Sequence, residues 1–437
     1  MTARGRLAVV ALLAATSCPS AARAQDDLRD VVTLKQGQPL RGRVFARYEP
    51  DVLTLQVGRH RQQVPRADVV ALDTVRDRVR EFFTLLDRLP DNLKHRWFMV
   101  SWATDHELHD LARVAALDVV LRDPDHQDAH LFLGHRRQQR GKWAWPCDDQ
   151  WLPLAELAKV RADWQNGWRL AGEHVVVQSN ADLRRVVDAV LDLERFHLAW
   201  FERFGEPMRL YEVVGEKLDV RIWRDTSGFP RLSSADRPYF FHRVLEAAHC
   251  ATFFAEPNAS RPLRLFEIAT AHLMYRTIAD DPTLRSYYRP ATWAEIGLGR
   301  VLERSVTGPA GALVLGTWRI DEASARLVLA HPERDLLHVA QIDTKKQLVA
   351  VSDVTEFEPI AAELAVAWVL TSPESRTLRP GFFGYLLEVV RGTKGTSSTA
   401  LARNLGEPQE LDKPWRAWIR REIAPPDPAP ASGPTRH

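Results

Sequence analysis

At 437 residues, 45% of them hydrophobic, the chain is long enough for about three domains and a substantial core, which excludes a small disulfide-stapled scaffold. The formal charge is +2 at pH 7, and loss of Arg4, Arg6 and Arg23 with an N-terminal leader would bring it to −1. That balance leaves no electrostatic footprint for a polyanion, so no nucleic acid is expected as a partner.

Residues 1–24 read as a cleaved secretory signal. Arg4 and Arg6 precede an apolar run from Leu7 to Ala15, and Ala22-Arg23-Ala24 precedes the acidic Gln25-Asp26-Asp27. The run is too short to cross a bilayer, and no later segment reaches the roughly 20 apolar residues that a transmembrane helix needs. The chain is therefore expected to be exported, periplasmic or extracellular. A second reading takes the small residues before Cys18 as a lipoprotein site, which would leave the protein lipid-anchored through Cys18. Cys147 and Cys250 lie too far apart to carry a disulfide-framework signal, and whether they are bonded stays open.

Residues 30–74 alternate as short strands separated by turn residues at Lys35-Gln36-Gly37-Gln38, Tyr48-Glu49-Pro50-Asp51 and Gly58-Arg59. So many short strands bury a face only by curling, which predicts a small closed β-barrel. With Leu34, Lys35, Gly37, Gly42 and Val44 in place, the segment resembles the SH3-like or Sm-like barrels at the front of many exported bacterial proteins.

From Val75 the period becomes helical, with Val79, Phe82, Leu85, Leu86 and Leu89 on one face. Two further helical stretches come next and close at Asp123-Pro124-Asp125-His126, before Ala129 to Gly134 resumes the pattern. Residues 75–140 thus resemble a tetratricopeptide-type hairpin, about one and a half repeats long, which is too short to stand alone and is expected to act as a spacer packed against a neighbour. Residues 141–170 carry Trp143, Trp145, Trp151, Trp164 and Trp168 and are expected to be an irregular linker, the tryptophans serving as packing at a junction or, alternatively, as a sugar-stacking surface.

Residues 171–423 begin with a strand at Val175-Val176-Val177, a long amphipathic helix from Leu183, and a strand at Leu218 to Trp223. Further on, Leu265-Phe266-Glu267-Ile268-Ala269-Thr270-Ala271-His272 is succeeded by Trp293-Ala294-Glu295-Ile296-Gly297-Leu298-Gly299. From Gly172 to Arg421 this order resembles the gluzincin, or peptidase MA-like, metallopeptidase domain, in which one helix carries His-Glu-x-x-His and a later one Trp-x-x-Glu-Gly-x-Ala. Laid on that pattern, the first zinc-binding His falls on Ile268, the general-base Glu on Ala269, the second His on His272 and the third ligand on Ile296. Aliphatic groups have no lone pair for a cation, so the resemblance implies a vestigial site, with no catalytic residue and no cofactor. The helices at Ile360 to Leu370, Phe382 to Leu387 and Trp415 to Trp418 occupy the places of the family's closing helices. The proline-rich tail, residues 424–437, is expected to be disordered.

Two rival metal readings compete with a vestigial site. His242, Glu246 and His249 fall at i, i+4 and i+7, one face if that segment is helical, but ligands spread over about 10 Å of helix axis converge poorly on one ion. His249, His272 and Glu295 form a displaced set, in which Glu295 stands one residue, about 100° of helix rotation, from the expected ligand position. No Gly-x-Ser-x-Gly elbow supports a nucleophile, and Gly392-Thr393-Lys394-Gly395-Thr396 lacks the context of a phosphate loop.

The expectation is an α+β multidomain protein: a small N-terminal β-barrel, a helical hairpin spacer, and a mainly helical gluzincin-like domain with a small β-sheet. Its function would be that of an exported, non-catalytic interaction or scaffolding module with an unknown protein or envelope partner. The alternatives are a zinc metallopeptidase with displaced ligands and a cell-envelope or carbohydrate-binding protein.

Overall fold

The computed structural model describes residues 29–46, 50–57, 60–138, 141–205, 208, 217–229, 239–241, 249–279, 292–304, 318–341, 357–390 and 397–423. Residues 1–28 with Cys18, the positions His242 and Glu246, residues 392–396 and residues 424–437 lie outside the described residues.

Five strands, β1 (Asp30–Leu34), β2 (Leu40–Ala46), β3 (Val52–Val57), β4 (His60–Pro65) and β5 (Val69–Asp73), form an antiparallel sheet in the order β4-β3-β2-β1-β5. Alternation puts Val32, Val44, Leu53, Leu55 and Val64 into one small core. Two glycines make the geometry feasible. Gly37 turns the chain between β1 and β2 at φ +92°, where a side chain would be strained, and at Gly42 a Cβ would lie 2.7 Å from the Gln56 carbonyl oxygen of β3. Closure into a hydrogen-bonded barrel is not found: among the described residues no ladder joins β4 to β5. Only Val64 of β4 is buried, β5 is largely exposed, and a single 3₁₀ turn at Arg66–Asp68 joins the two, so little apolar area draws the edges together.

Buried polar groups tie this sheet to the helices beyond it. The Asp30 carboxylate accepts the backbone N–H groups of Val44 and Val75, each at 2.8 Å, linking β2 to the first residue of α1 (Val75–Arg88). Thr74 caps that helix by accepting the Asp77 N–H at 3.1 Å, while its hydroxyl donates to the Asp77 carboxylate. Arg78, on the same helix, donates to the carbonyls of Arg29 and His106, which lie before β1 and after α2 (Leu93–Asp105). Next come α3 (His109–Arg122), buried along most of its length, and α4 (Gln127–Phe132).

The tryptophan-rich stretch, expected to be irregular, contains regular strands and a helix. It forms β6 (Arg136–Arg137), β7 (Trp143–Cys147) and β8 (Gln150–Pro153) of a three-stranded antiparallel sheet, then α5 (Leu154–Arg161) and β9 (Trp168–Ala171), which joins the larger sheet. Its rings find protein partners: Trp143 stacks on His130, Trp145 lies against His135, Trp164 stacks on Trp223, and the Arg136 guanidinium covers Trp151. Trp145 is buried by this packing, while Trp143, Trp151 and Trp164 are half-buried.

The larger sheet contains β10 (Val175–Ser179), β11 (Leu218–Trp223), β12 (Tyr239–Phe241) and β13 (His249–Phe253), in the order β12-β13-β11-β10-β9. Its three central strands are parallel and both edges antiparallel. Parallel neighbours need a crossover, and α6 (Leu183–Trp200), ending in a π-helical turn at Phe201–Gly205, stands between β10 and β11 in the chain and packs on β10. After β13 come α7 (Leu265–Ala279), α8 (Thr292–Glu303), α9 (Glu322–Leu329), α10 (Leu336–Ala340), α11 (Phe357–Thr371), α12 (Arg379–Val390), α13 (Ser397–Leu405) and α14 (Pro408–Glu422). The molecule is a mixed α and β protein in which one continuous core runs from α1 through the larger sheet to α14. Among the described residues, no helix is long and apolar enough to cross a membrane.

Candidate functional site

The helix that carries the motif positions starts abruptly. Arg264 adopts φ +52°, and the first free N–H groups of α7, those of Phe266 and Glu267, donate to the Glu303 carboxylate at 2.6 and 3.2 Å. A residue at the far end of α8 therefore caps α7, fixing the two helices against each other. Phe266 stacks on Phe196 of α6 at 4.6 Å, and Arg261 lies over the same ring and 3.8 Å from Glu303. Burial pushes the Glu303 carboxyl up to about 7, against the opposing pull of Arg261 and the two N–H groups.

On this helix Ile268, Ala269 and His272 are all buried, with Ala269 and His272 fully so. On α8, Glu295 and Ile296 are half-buried. Two glycines on opposite sides let α8 slide between its neighbours: a Cβ on Gly299 would lie 3.0 Å from Glu267 of α7, and one on Gly297 only 2.3 Å from the Ala362 carbonyl oxygen of α11. At Gly299, then, α8 meets the Glu267 side of α7, which is about 100° and 140° around that helix from Ile268 and His272. Gly299 is one turn beyond both Glu295 and Ile296, so these two residues flank the side of α8 that meets α7.

His249, the remaining member of the displaced set, opens β13, where it is paired in register with Phe241. The helical face proposed for His242, Glu246 and His249 therefore does not reach His249; the segment His249-Cys250-Ala251-Thr252-Phe253 is a strand paired with β11 and β12. Cys147 and Cys250 sit in different sheets, each buried and free, and burial pushes the Cys250 thiol well up.

No protein-family model matches the chain, and no curated protein matches it either. The donor chemistry must therefore be judged on its own. Ile268, Ala269 and Ile296 offer no lone pairs, leaving one imidazole where a zinc ion needs three protein ligands, so these residues do not fit the metal.

Polar groups that sequence reasoning missed are concentrated elsewhere. Glu363, buried in the middle of α11, accepts from Trp318 Nε1 at 2.8 Å and from Arg300 at 3.1 Å, and Arg304 lies 3.1 Å from its other side. Its only sequence signal is a lone acid inside the aliphatic run Ile360 to Leu370. Glu194 of α6 is buried and accepts the His174 N–H at 2.7 Å, the Val175 N–H at 3.1 Å and the His174 ring at 2.8 Å. His130 and His135 face each other through their Nδ1 atoms at 2.7 Å; because His130 Nε2 donates to the Pro124 carbonyl, its Nδ1 accepts the proton of His135. Burial and the His130 neighbour take His135 down to about 3, so this pair stays neutral. These networks are filled by internal partners, an arrangement that holds elements together.

Proposed function

We propose that the chain is an exported, non-catalytic interaction or scaffolding protein whose C-terminal half is a degenerate gluzincin-like domain, preceded by an SH3-like or Sm-like sheet and a tetratricopeptide-type hairpin. The observation that carries the reading is the burial of Ile268 and Ala269 beside His272: the positions that would hold a metal and its general base are apolar interior. Once a metal is lost, unpaired imidazole and carboxylate groups are costly to bury and aliphatic replacement is the stable outcome. The succession of parallel strand, long helix and parallel strand, then two more strands before two packed helices, is similar to the order in which the gluzincin domain begins. The packing of Trp143 and Trp145 on the two histidines favours this reading over one in which the tryptophans face a sugar.

Elemental analysis of protein purified without a histidine tag, with a fluorogenic peptide assay run beside it, tests the proposal. The expected result is substoichiometric zinc and no chelator-sensitive cleavage. One equivalent of zinc, lost in His272→Ala together with peptide cleavage, would overturn it in favour of a metallopeptidase with displaced ligands. Glycan or envelope binding that survives with the fold intact but disappears in Trp143→Ala/Trp145→Ala would overturn it in favour of an envelope-binding role.

A further inference from the structure

Most arginines of this molecule that cluster do so around carboxylates: Arg96, Arg122 and Arg184 around Asp118, Arg300 and Arg304 around Glu363. Arg203, Arg376 and Arg379 are different. Arg203 sits in the π-helical turn after α6, Arg376 in the 3₁₀ turn before α12, and Arg379 is the first residue of α12. The edge-to-face contact of Phe204 with Phe383, at 5.9 Å between ring centres, brings the π-helical turn onto the first turns of α12. Arg203 and Arg376 both bear electrostatically on Arg379, which is held below its ordinary value by burial and then by these two neighbours. Among the described residues no carboxylate pairs with any of the three. Glu374, the acid nearest in sequence to Arg376, is taken by Arg421 at 2.6 Å.

One member of the group is preorganised. Arg379 donates through Nε to the Val369 carbonyl and through Nη2 to the Ser372 carbonyl, each at 3.2 Å, pinning its guanidinium against the C-terminal end of α11. That turn is itself fixed by the buried Ser375 hydroxyl, which lies 2.5 Å from the Trp368 carbonyl. Arg203 and Arg376 remain exposed. With Arg379 pinned and no carboxylate paired to any of the three among the described residues, the repulsion between these cations is one that a bound anion would relieve, and in a chain of nearly neutral net charge that attraction is local.

We propose that Arg203, Arg376 and Arg379 form a binding site for a phosphate-type oxyanion. Guanidinium groups arriving from two chain segments match a tetrahedral oxyanion, whose several oxygens accept from different directions, better than a single carboxylate, which one fork saturates. The same chemistry is offered by free phosphate and by the phosphomonoester headgroup of a lipid, and the test separates them.

Titration calorimetry of the full chain with inorganic phosphate at low ionic strength should give saturable binding. Arg203→Gln and Arg376→Gln, both at exposed positions, should each weaken it about ten-fold or more, as expected for loss of one charged hydrogen bond. Arg326→Gln, which removes an exposed pair with Glu322 on α9, should leave it unchanged. In sedimentation with vesicles, binding to phosphatidic acid but not to phosphatidylcholine, competed by inorganic phosphate and lost in the double variant Arg203→Gln/Arg376→Gln, assigns the site to a lipid headgroup; phosphate binding without vesicle binding assigns it to a soluble phosphate. Absence of saturable phosphate binding, or equal binding by a double variant whose unfolding midpoint matches the parent, overturns the proposal.

Discussion

The polar knot at the foot of β10 and the layer formed by α7 and α8 are both buried, and they treat ionisable groups in opposite ways. In the knot, Glu194 is matched by two backbone N–H groups and the His174 ring, and Gly172 is a glycine where a Cβ would lie 2.2 Å from the Glu194 carboxylate oxygen. Beside it Glu173 accepts the N–H groups of Asp110 and Leu111 at the start of α3 and pairs with Arg29 at 2.5 Å, while Lys217 donates to the Gly172 carbonyl at 2.6 Å and pairs with Asp110. On α7 and α8 the positions compared are the buried Ile268 and Ala269 and the half-buried Ile296, with His272 the one buried imidazole beside them. Interior charge is kept where the fold itself supplies every partner, as expected when an uncompensated buried charge costs several kcal/mol; on the proposed reading, the positions where an outside ion would have had to supply partners are aliphatic.

The sharpest way to break this contrast is Glu194→Ala. It strands two backbone donors and the His174 ring, and should cost about 3–5 kcal/mol in urea unfolding. A loss below about 1 kcal/mol would mean that water or a neighbour takes over the role, and the knot would no longer differ in kind from the aliphatic layer. Burial alone would raise the Glu194 carboxyl, yet His174, the N–H bonds and Lys217 carry it below its ordinary value. Its stabilisation is therefore present above the ordinary carboxylate range and fades as pH falls through the lowered value.

Glu303 gives the opposite sign. Its carboxyl is raised from 4.5 to about 7 chiefly by burial, so the folded state holds a proton that the unfolded chain has released. Its contribution is greatest below about 4.5 and declines as pH rises to about 7, by at most about 3 kcal/mol. Glu303→Gln keeps an oxygen for the Phe266 and Glu267 N–H groups and should flatten the pH dependence of the unfolding midpoint between pH 5 and 7 (~2 units). An unchanged profile would show that the cap is solvated.

A smaller effect is expected at the helix crossing. Gly297→Ala places a methyl 2.3 Å from the Ala362 carbonyl oxygen. The overpacking should outweigh the gain of about 0.5–1 kcal/mol in helix propensity, for a net loss of about 1–3 kcal/mol by chemical denaturation. A stabilised variant would show that α8 and α11 have room to separate.

Much of the frame was legible because its signals are local. The run from Leu218 to Trp223 alternates into β11, and the mostly aliphatic run Ile360 to Leu370, broken by Glu363, lies within the buried α11. The antiparallel strands of residues 30–74 were legible too, but not their failure to pair β4 with β5, which depends on how little of either strand is buried. In the tryptophan-rich stretch the junction packing was legible, with rings on His130, His135 and Trp223, but the strands were not, because they are short and carry no clean alternation. His249 misled through helical spacing to residues with which it shares no helix. The matched acids Glu194, Glu303 and Glu363 were illegible for a common reason: their partners stand 19 or more residues away in sequence, so nothing local distinguishes them from solvated glutamates.

The aliphatic layer itself is probed most gently by Ile268→Val. Removing one methylene from a packed interior costs about 0.5–1.5 kcal/mol, through lost transfer energy and the cavity left behind. Ile268 is 5% exposed, whereas Ile296 is half-buried, so Ile296→Val should cost less. The order of the two matters more than the size. If Ile268 lined a solvent-filled cleft, such as an open catalytic centre requires, shortening it would leave stability unchanged, because water would fill the space. A measurable loss at residue 268 that exceeds the loss at residue 296 is what close packing demands, and a null result at residue 268 would mean that this part of the molecule still holds a cavity for something to enter.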